Sequence, residues 1–263
     1  MRLQPRRPAE RRVTGSCAPA APPARCARAC ADARRARPLS WRDVETDVER
    51  IGEDVPLLEG IRTTRALRRL RPDPVPRALV RKVCEAGTFA PSGGNRQPWH
   101  FVAVTDPATR AFVAERYRKA FAAYAAPARE AARDAAYPAS KRRTLEAAAW
   151  LAEHLHEVPV HLFVAGWLRR GEPQLQALMP AVQNVLLACR AVGLGASLTT
   201  LHLAYGREID ARLGLPERCP SCALLPIGWP LGRYGRPPRR PVDTCLHWER
   251  YEPRAEEGGP RAG

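Results

Sequence analysis

Two runs of sequence leave the chain few architectures. VPVHLFVAGWL, residues 158 to 168, and CALLPIGWP, residues 222 to 230, are apolar almost throughout. A strand that is apolar at nearly every position, not at every second one, occupies a central place with both faces covered. Between the two, Leu178, Val182, Val185, Leu186 and Cys189 recur at helical spacing across Gln174 to Val192, and Gly193 follows as a C-cap. Strands of this kind, few and unevenly separated by helices, predict an α+β chain in three layers, helices on both faces of one sheet, and argue against a regular βαβ array.

The remaining elements fit that plan. WRDVETDVERIGEDVPLLEG, residues 41 to 60, is a mildly acidic lead-in of helical character, and a short basic stretch from Arg62 to Leu70 stops at the prolines of residues 71 to 76. Leu79, Val80, Val83, Ala86 and Ala90 mark one face of a helix. His100 to Val104 reads as a strand, and Asp106-Pro107 opens the next helix with a cap and an N1 proline. The Ala-rich, charged stretch from 108 to 157 suits one long helix or two shorter ones, and REIDARLGL is a further helix. The folded domain is expected over residues 58 to 252, preceded by a disordered Arg/Pro/Ala-rich arm over 1 to 50 and followed by a disordered tail over 253 to 263.

The formal charge of +16 suggests nucleic acid until it is located. Residues 1 to 40 carry ten arginines against Glu10 and Asp32, a local excess of +8 and half of the total. That arm has almost no large apolar side chains to offset the entropy of ordering. Apart from Trp41 just beyond it, the arm lacks the aromatics on which bases stack, so nucleic acid is not expected as a partner. No continuous apolar stretch of signal or membrane-span length occurs in the sequence, and the expected compartment is the cytoplasm, with no membrane partner. Eight cysteines in such a chain read as reduced thiols. Cys219 and Cys222, with Cys245 and His247 as a second pair, have near-zinc spacing, but Cys-x-His is an unusual knuckle and Cys222 opens a buried strand, so no metal is expected. His154, His156 and His161 read as solvated or core-edge histidines, and Trp150, Trp167 and Trp229 as core aromatics.

Three polar islands interrupt the core: Arg65 with Arg68, the loop APSGGNRQPW at residues 90 to 99, and Arg236 to Arg240. Separated arginines in proline-stiffened backbone suit a phosphate, although taken alone they are better explained as solvated basic faces. In the loop, Pro91 stops a helix, and Gly93 and Gly94 permit positive φ or the close approach of a flat ligand. Ser92, Asn95 and Gln97 supply donors and acceptors with no charge. Such a loop suits a planar heteroaromatic ring; the competing reading is a structural turn.

TRALRRLRPDPVP, APSGGNRQPWHFVAV, AVQNVLLACRAVGLGASLTT, LPIGWP and RPPRRPVD resemble, in order and spacing, the FMN-dependent nitroreductase family over residues 60 to 250. The resemblance implies a central mixed, mostly antiparallel sheet flanked by helices, in an interlocked homodimer with FMN in each of two interface clefts. It implies that Arg65, Ala66 and Arg68 lie by the FMN phosphate and ribityl chain, and that Arg239 and Arg240 lie by the same phosphate. Pro91, Ser92, Gly93, Asn95 and Gln97 match a loop lent to the flavin of the other subunit. Ser197, Leu198, Thr199 and Thr200 match the segment along the isoalloxazine ring near N5. Ala66 stands where the family often has serine, leaving only backbone there, and Thr64 where arginine or histidine is common.

The activity implied is ping-pong hydride transfer from NADH or NADPH through flavin N5 to a small-molecule acceptor such as a nitroaromatic or quinone. No side chain need be catalytic, which agrees with a sequence in which Gly193 to Ser197 is not a nucleophile elbow and Leu198 breaks a G-x-G-x-x-G pattern. Relatives of the same fold that cleave flavin, remove halogens or oxidise azolines define a second expectation. A third is a binding protein whose basic arm finds an acidic partner while the core stores flavin.

Overall fold

The computed structural model describes residue 48 and residues 50–252. Apart from Val48 and Arg50, the expected arm lies outside the described residues, as does the expected tail. Val48 and Ile51 pack against the core ahead of the expected domain start.

The elements in chain order are α1 (Leu57–Thr63), α2 (Arg77–Thr88), β1 (Trp99–Val104), α3 (Pro107–Ala131), α4 (Ala139–His154), β2 (Val160–Gly166), α5 (Leu175–Ala191), β3 (Gly195–Ala196), α6 (Gly206–Leu213) and β4 (Ser221–Gly228). The strands form one sheet in the order β1-β2-β4-β3, and its three pairings are all antiparallel. β2 and β4, the two apolar runs, are central and buried at every position.

Alternation along the central strands assigns the layers. Val160, Leu162 and Val164, with Ala223, Leu225 and Ile227, pack with Leu79 and Val83 of α2 and Leu178, Val182 and Val185 of α5. Phe163 and Leu224 face the opposite side with Val113, Tyr117 and Phe121 of α3, Leu151 of α4 and Ile209 of α6. Each of these large side chains contributes about 1.5–3 kcal/mol through the area it removes from water.

Local chemistry sets the element ends. The Asp106 side chain accepts from the Thr109 N–H at 2.7 Å, capping α3. Gly193, at φ 78°, takes the left-handed position after α5, and the Leu194 N–H returns to the Cys189 carbonyl at 2.8 Å. The Ala-rich stretch resolves into α3 and α4 with a break at residues 132 to 138.

Two readings need correction. His161, expected to be solvated or at the core edge, is wholly buried on β2, because a central strand presents its polar positions to a covered face as well. Trp167 lies beyond the end of β2, about half exposed, with its ring edge-on to His100. Of the other two tryptophans expected in the core, Trp229 is buried and donates to the Pro74 carbonyl at 3.0 Å, and Trp150 is half-buried and stacked on His154.

Candidate functional site

Residues 64 to 71 leave α1 as extended backbone and run beside the end of the sheet. The Leu67 N–H donates to the Ala196 carbonyl at 3.0 Å, the Arg71 N–H to Trp229 at 2.7 Å and the Leu231 N–H to Arg69 at 3.0 Å. Leu67 and Leu70 turn inward while Arg65, Ala66 and Arg69 are exposed and Arg68 is half-buried. The close approach requires glycine at 195: a Cβ there would lie 2.6 Å from Leu70 Cδ2 and 3.1 Å from Pro230 Cβ. Thus Arg65 to Arg68 and Ser197 to Thr200, remote in sequence, are adjacent.

The second segment is pinned from two sides. Thr199 exchanges both backbone hydrogen bonds with Leu224 of β4, each at 2.9 Å. Thr199 Oγ1 lies 3.2 Å from the Tyr117 hydroxyl on α3 and accepts from the Leu201 N–H at 3.4 Å. Burial pushes the Tyr117 pKa up, opposed by the Thr199 hydrogen bond and by the positive charge of Arg68 nearby. Ser197 is buried, and among the described residues its Oγ has no hydrogen-bond partner. Leu198 and Thr200 are exposed.

The loop after α2 is built around its own polar groups. Ser92 Oγ accepts from the Gln97 N–H at 3.0 Å, the Asn95 N–H donates to the Ser92 carbonyl at 2.9 Å, and Gln97 Nε2 donates to Asn95 Oδ1 at 3.1 Å. Gly94 has φ 62°, one of the two uses expected of the glycines, and the other left-handed residues of the loop are Asn95 at 51° and Gln97 at 48°. Space around both glycines is open. Among the described residues no hydrogen bond joins this loop to residues 65 to 68 or 197 to 200. Instead Pro91, Ser92 and Gly93 border a cleft of about 630 Å³ with Arg169, Arg170 and the start of α5.

The late basic group arrives at α1. The Tyr234 hydroxyl donates to the Leu194 carbonyl, with Arg190 stacked 4.9 Å from its ring and Arg190 Nε donating to Thr63 at 2.8 Å. With the tail so anchored, Arg239 borders a cleft of about 420 Å³ with Ile61, Arg62, Arg236 and Pro237. Glu59 neutralises Arg236 at 3.0 Å. Arg240 is exposed beside Arg239. Among the described residues Arg239 makes no ion pair, and its Nη1 donates to the Pro238 carbonyl at 3.0 Å.

Among the described residues no group of three or more His, Cys, Asp or Glu side chains could hold a metal ion. No described helix is long and apolar enough to cross a membrane. Tyr117 and Arg62 escaped the sequence reading. Tyr117 continues a Val113, Tyr117, Phe121 stripe that signals core, and nothing local tells its hydroxyl's destination.

The family model described as "Nitroreductase family" matches residues 61–229, the span that holds residues 65 to 68, 90 to 99 and 197 to 200 but not the late segment from Tyr234 to Arg240. The chain belongs to the nitroreductase family. Among the relatives of this nitroreductase-family chain, a Thermus thermophilus protein named NADH dehydrogenase is 33% identical over 209 residues, covering 70% of this chain and 91% of that one. A 5,6-dimethylbenzimidazole synthase of Rhodospirillum rubrum is 30% identical over 185 residues, covering 67% and 87%. Iodotyrosine deiodinase 1 of Rattus norvegicus is 27% identical over 183 residues, covering 63% and 59%. Among solved structures, a nitroreductase-like protein of Desulfovibrio desulfuricans in complex with FMN superposes with a TM-score of 0.56 at 26% identity, covering 75% of this chain and 99% of that one.

Proposed function

We propose that this chain is an FMN-dependent oxidoreductase, acting as a homodimer, that uses NADH or NADPH to reduce nitroaromatics, quinones or similar flat acceptors. The observation that carries the reading is the junction of Arg65 to Arg68 with Ser197 to Thr200 through the Leu67 to Ala196 hydrogen bond. The donor set fits FMN: guanidinium groups for a phosphate, and neutral hydroxyl and backbone groups for a ring with N–H and C=O edges. When bound, FMN supplies the two-electron carrier between nicotinamide and acceptor.

The chain's own residues hold and orient. Arg65 and Arg68, with Arg239, would neutralise the FMN phosphate, and the backbone of 197 to 200, kept in place by Leu224 on one side and Tyr117 on the other, would hold the ring. The loop with Ser92 and Asn95 makes no hydrogen bond to those segments within its own chain and stands exposed, which suits a loop offered to a second copy. Large apolar side chains left in solvent support the association: Leu57 is 71% exposed, Phe89 79% and Trp248 74%.

Steady NAD(P)H consumption with a nitroarene or a quinone, by a dimer in light scattering, tests the reading. The 30% identity to a 5,6-dimethylbenzimidazole synthase supports a second one, in which the same site consumes its flavin. Loss of flavin absorption under oxygen, with no acceptor-dependent turnover, would select that second chemistry.

A further inference from the structure

Beneath the segment matched to the flavin lies a polar line that the proposed function does not use. Asp210 of α6 receives two hydrogen bonds from Ser221 of β4, from Oγ to Oδ1 at 2.5 Å and from N–H to Oδ2 at 3.2 Å. Ser221 Oγ lies 3.2 Å from His202 Nε2. His202 sits in the short 3₁₀ turn Leu201–Tyr205 and is buried, its ring edge-on to Phe163 at 5.5 Å between centroids. A carboxylate only accepts, so the one hydroxyl proton of Ser221 goes to Asp210, and the Ser221 oxygen is left to accept. His202 is thereby held as the tautomer with its proton on Nε2. Its Nδ1 is then a buried acceptor with no partner among the described residues, a destabilising feature that an apolar side chain in the same place would avoid.

The position of the bond shows what it does. Thr199 pairs with Leu224 through two backbone hydrogen bonds. His202 lies three residues after Thr199 and Ser221 three before Leu224, so the two stand opposite each other in the antiparallel register, one step beyond Leu201 and Cys222, where the next backbone rung would fall. The backbone has turned into the 3₁₀ helix by then, and the imidazole reaches across in its place. The β3 pairing of Gly195 and Ala196 ties the segment to β4 on its N-terminal side, and the His202 to Ser221 bond ties it on the C-terminal side, beyond the Thr199 rung.

We propose that His202, oriented through Ser221 by Asp210, is a positioning residue that sets the backbone of Ser197 to Thr200 against the flavin. The inference rests on the flavin reading of that segment. The test compares His202→Leu, His202→Gln and Ser221→Ala with the wild-type protein. In the apo forms, hydrogen exchange at the Thr199 and Leu201 amides is read. With FMN added, affinity is read by fluorescence quenching and ring environment by visible circular dichroism.

His202→Leu and Ser221→Ala should accelerate Thr199 exchange and weaken FMN binding, each about tenfold, and alter the visible dichroism, because a lost buried bond leaves its partner unsatisfied. Glutamine, whose amide N–H can also donate to Ser221, should restore all three. If both bond-breaking variants lose thermal stability while FMN affinity and dichroism stay at wild-type values, the residue is structural only and the inference is overturned. Equal effects from leucine and glutamine also overturn it. Failure of the wild-type protein to take up FMN overturns the functional reading instead, with the apo exchange result left to report on the line itself.

Discussion

Acid should unfold this protein through two histidines. His161 and His202 are each buried, with 0% exposure. Desolvation of the charged form lowers both pKa values from 6.5 to about 4, a shift that the hydrogen bond from His161 Nε2 to the Leu155 carbonyl at 2.8 Å does not overcome. The unfolded chain therefore binds two protons that the native chain refuses. Their contribution is complete above pH 6.5 and is lost as pH falls toward 4, with a limiting slope of about 2.7 kcal/mol per pH unit while both rings titrate only on unfolding. Each ring is worth about 3 kcal/mol over the full window. That is a large part of the roughly 5–15 kcal/mol expected for a domain. Asp210 opposes the trend weakly, since burial raises its pKa. Urea unfolding from about pH 7 to about pH 5, with linear extrapolation, measures the slope. The His161→Gln/His202→Gln double variant keeps a donor at each site but cannot titrate, and should flatten the curve by close to two protons. An unchanged slope in that variant would refute the assignment of the acid lability to these rings.

Other outcomes follow from single contacts. Gly195→Ala should lower stability by about 1–3 kcal/mol through overpacking against Leu70, and should also weaken FMN uptake, because the strain separates residues 65 to 68 from Ala196; thermal melts and flavin titration read the two. Arg239→Ala, at an exposed position, should leave the melting temperature unchanged and increase FMN loss on dialysis, and unaltered flavin retention would mean that the late basic residue serves another ligand. Among the described cysteines, only Cys245 is exposed, and burial raises the Cys84 and Cys222 pKa values to about 11. Timed alkylation with mass spectrometry should therefore label Cys245 well before Cys84, Cys189, Cys219 and Cys222.

Much of the architecture could be read from apolar patterning. The two runs that became β2 and β4 announced central strands, the periodic stretch became α5, and Asp106 and Gly193 marked ends at which side-chain and backbone chemistry are local. β3, two residues long, leaves no pattern to detect, and its place is set by Leu67 and Gly228 on either side. Of the two loop glycines, Gly94 takes positive φ while Gly93 leaves open space, and hydrogen bonds among Ser92, Asn95 and Gln97 accompany two further left-handed residues, Asn95 and Gln97, that the sequence did not mark. His161 was misplaced because polarity suggests water only when one face of the strand is open, and here helices cover both. The candidate site was legible as motifs, but Tyr117, Arg62 and His202 join it through contacts spanning many residues, which spacing does not encode.

The central claim is that Arg65 to Arg68 and Ser197 to Thr200 hold FMN while the Ser92 loop completes the site from a second chain. The most direct measurement is the absorption spectrum of the purified protein after reconstitution with FMN and removal of the excess, with light scattering on the same sample. The account predicts flavin bands at about one FMN per chain, carried by a dimer. A colourless protein after reconstitution would contradict it.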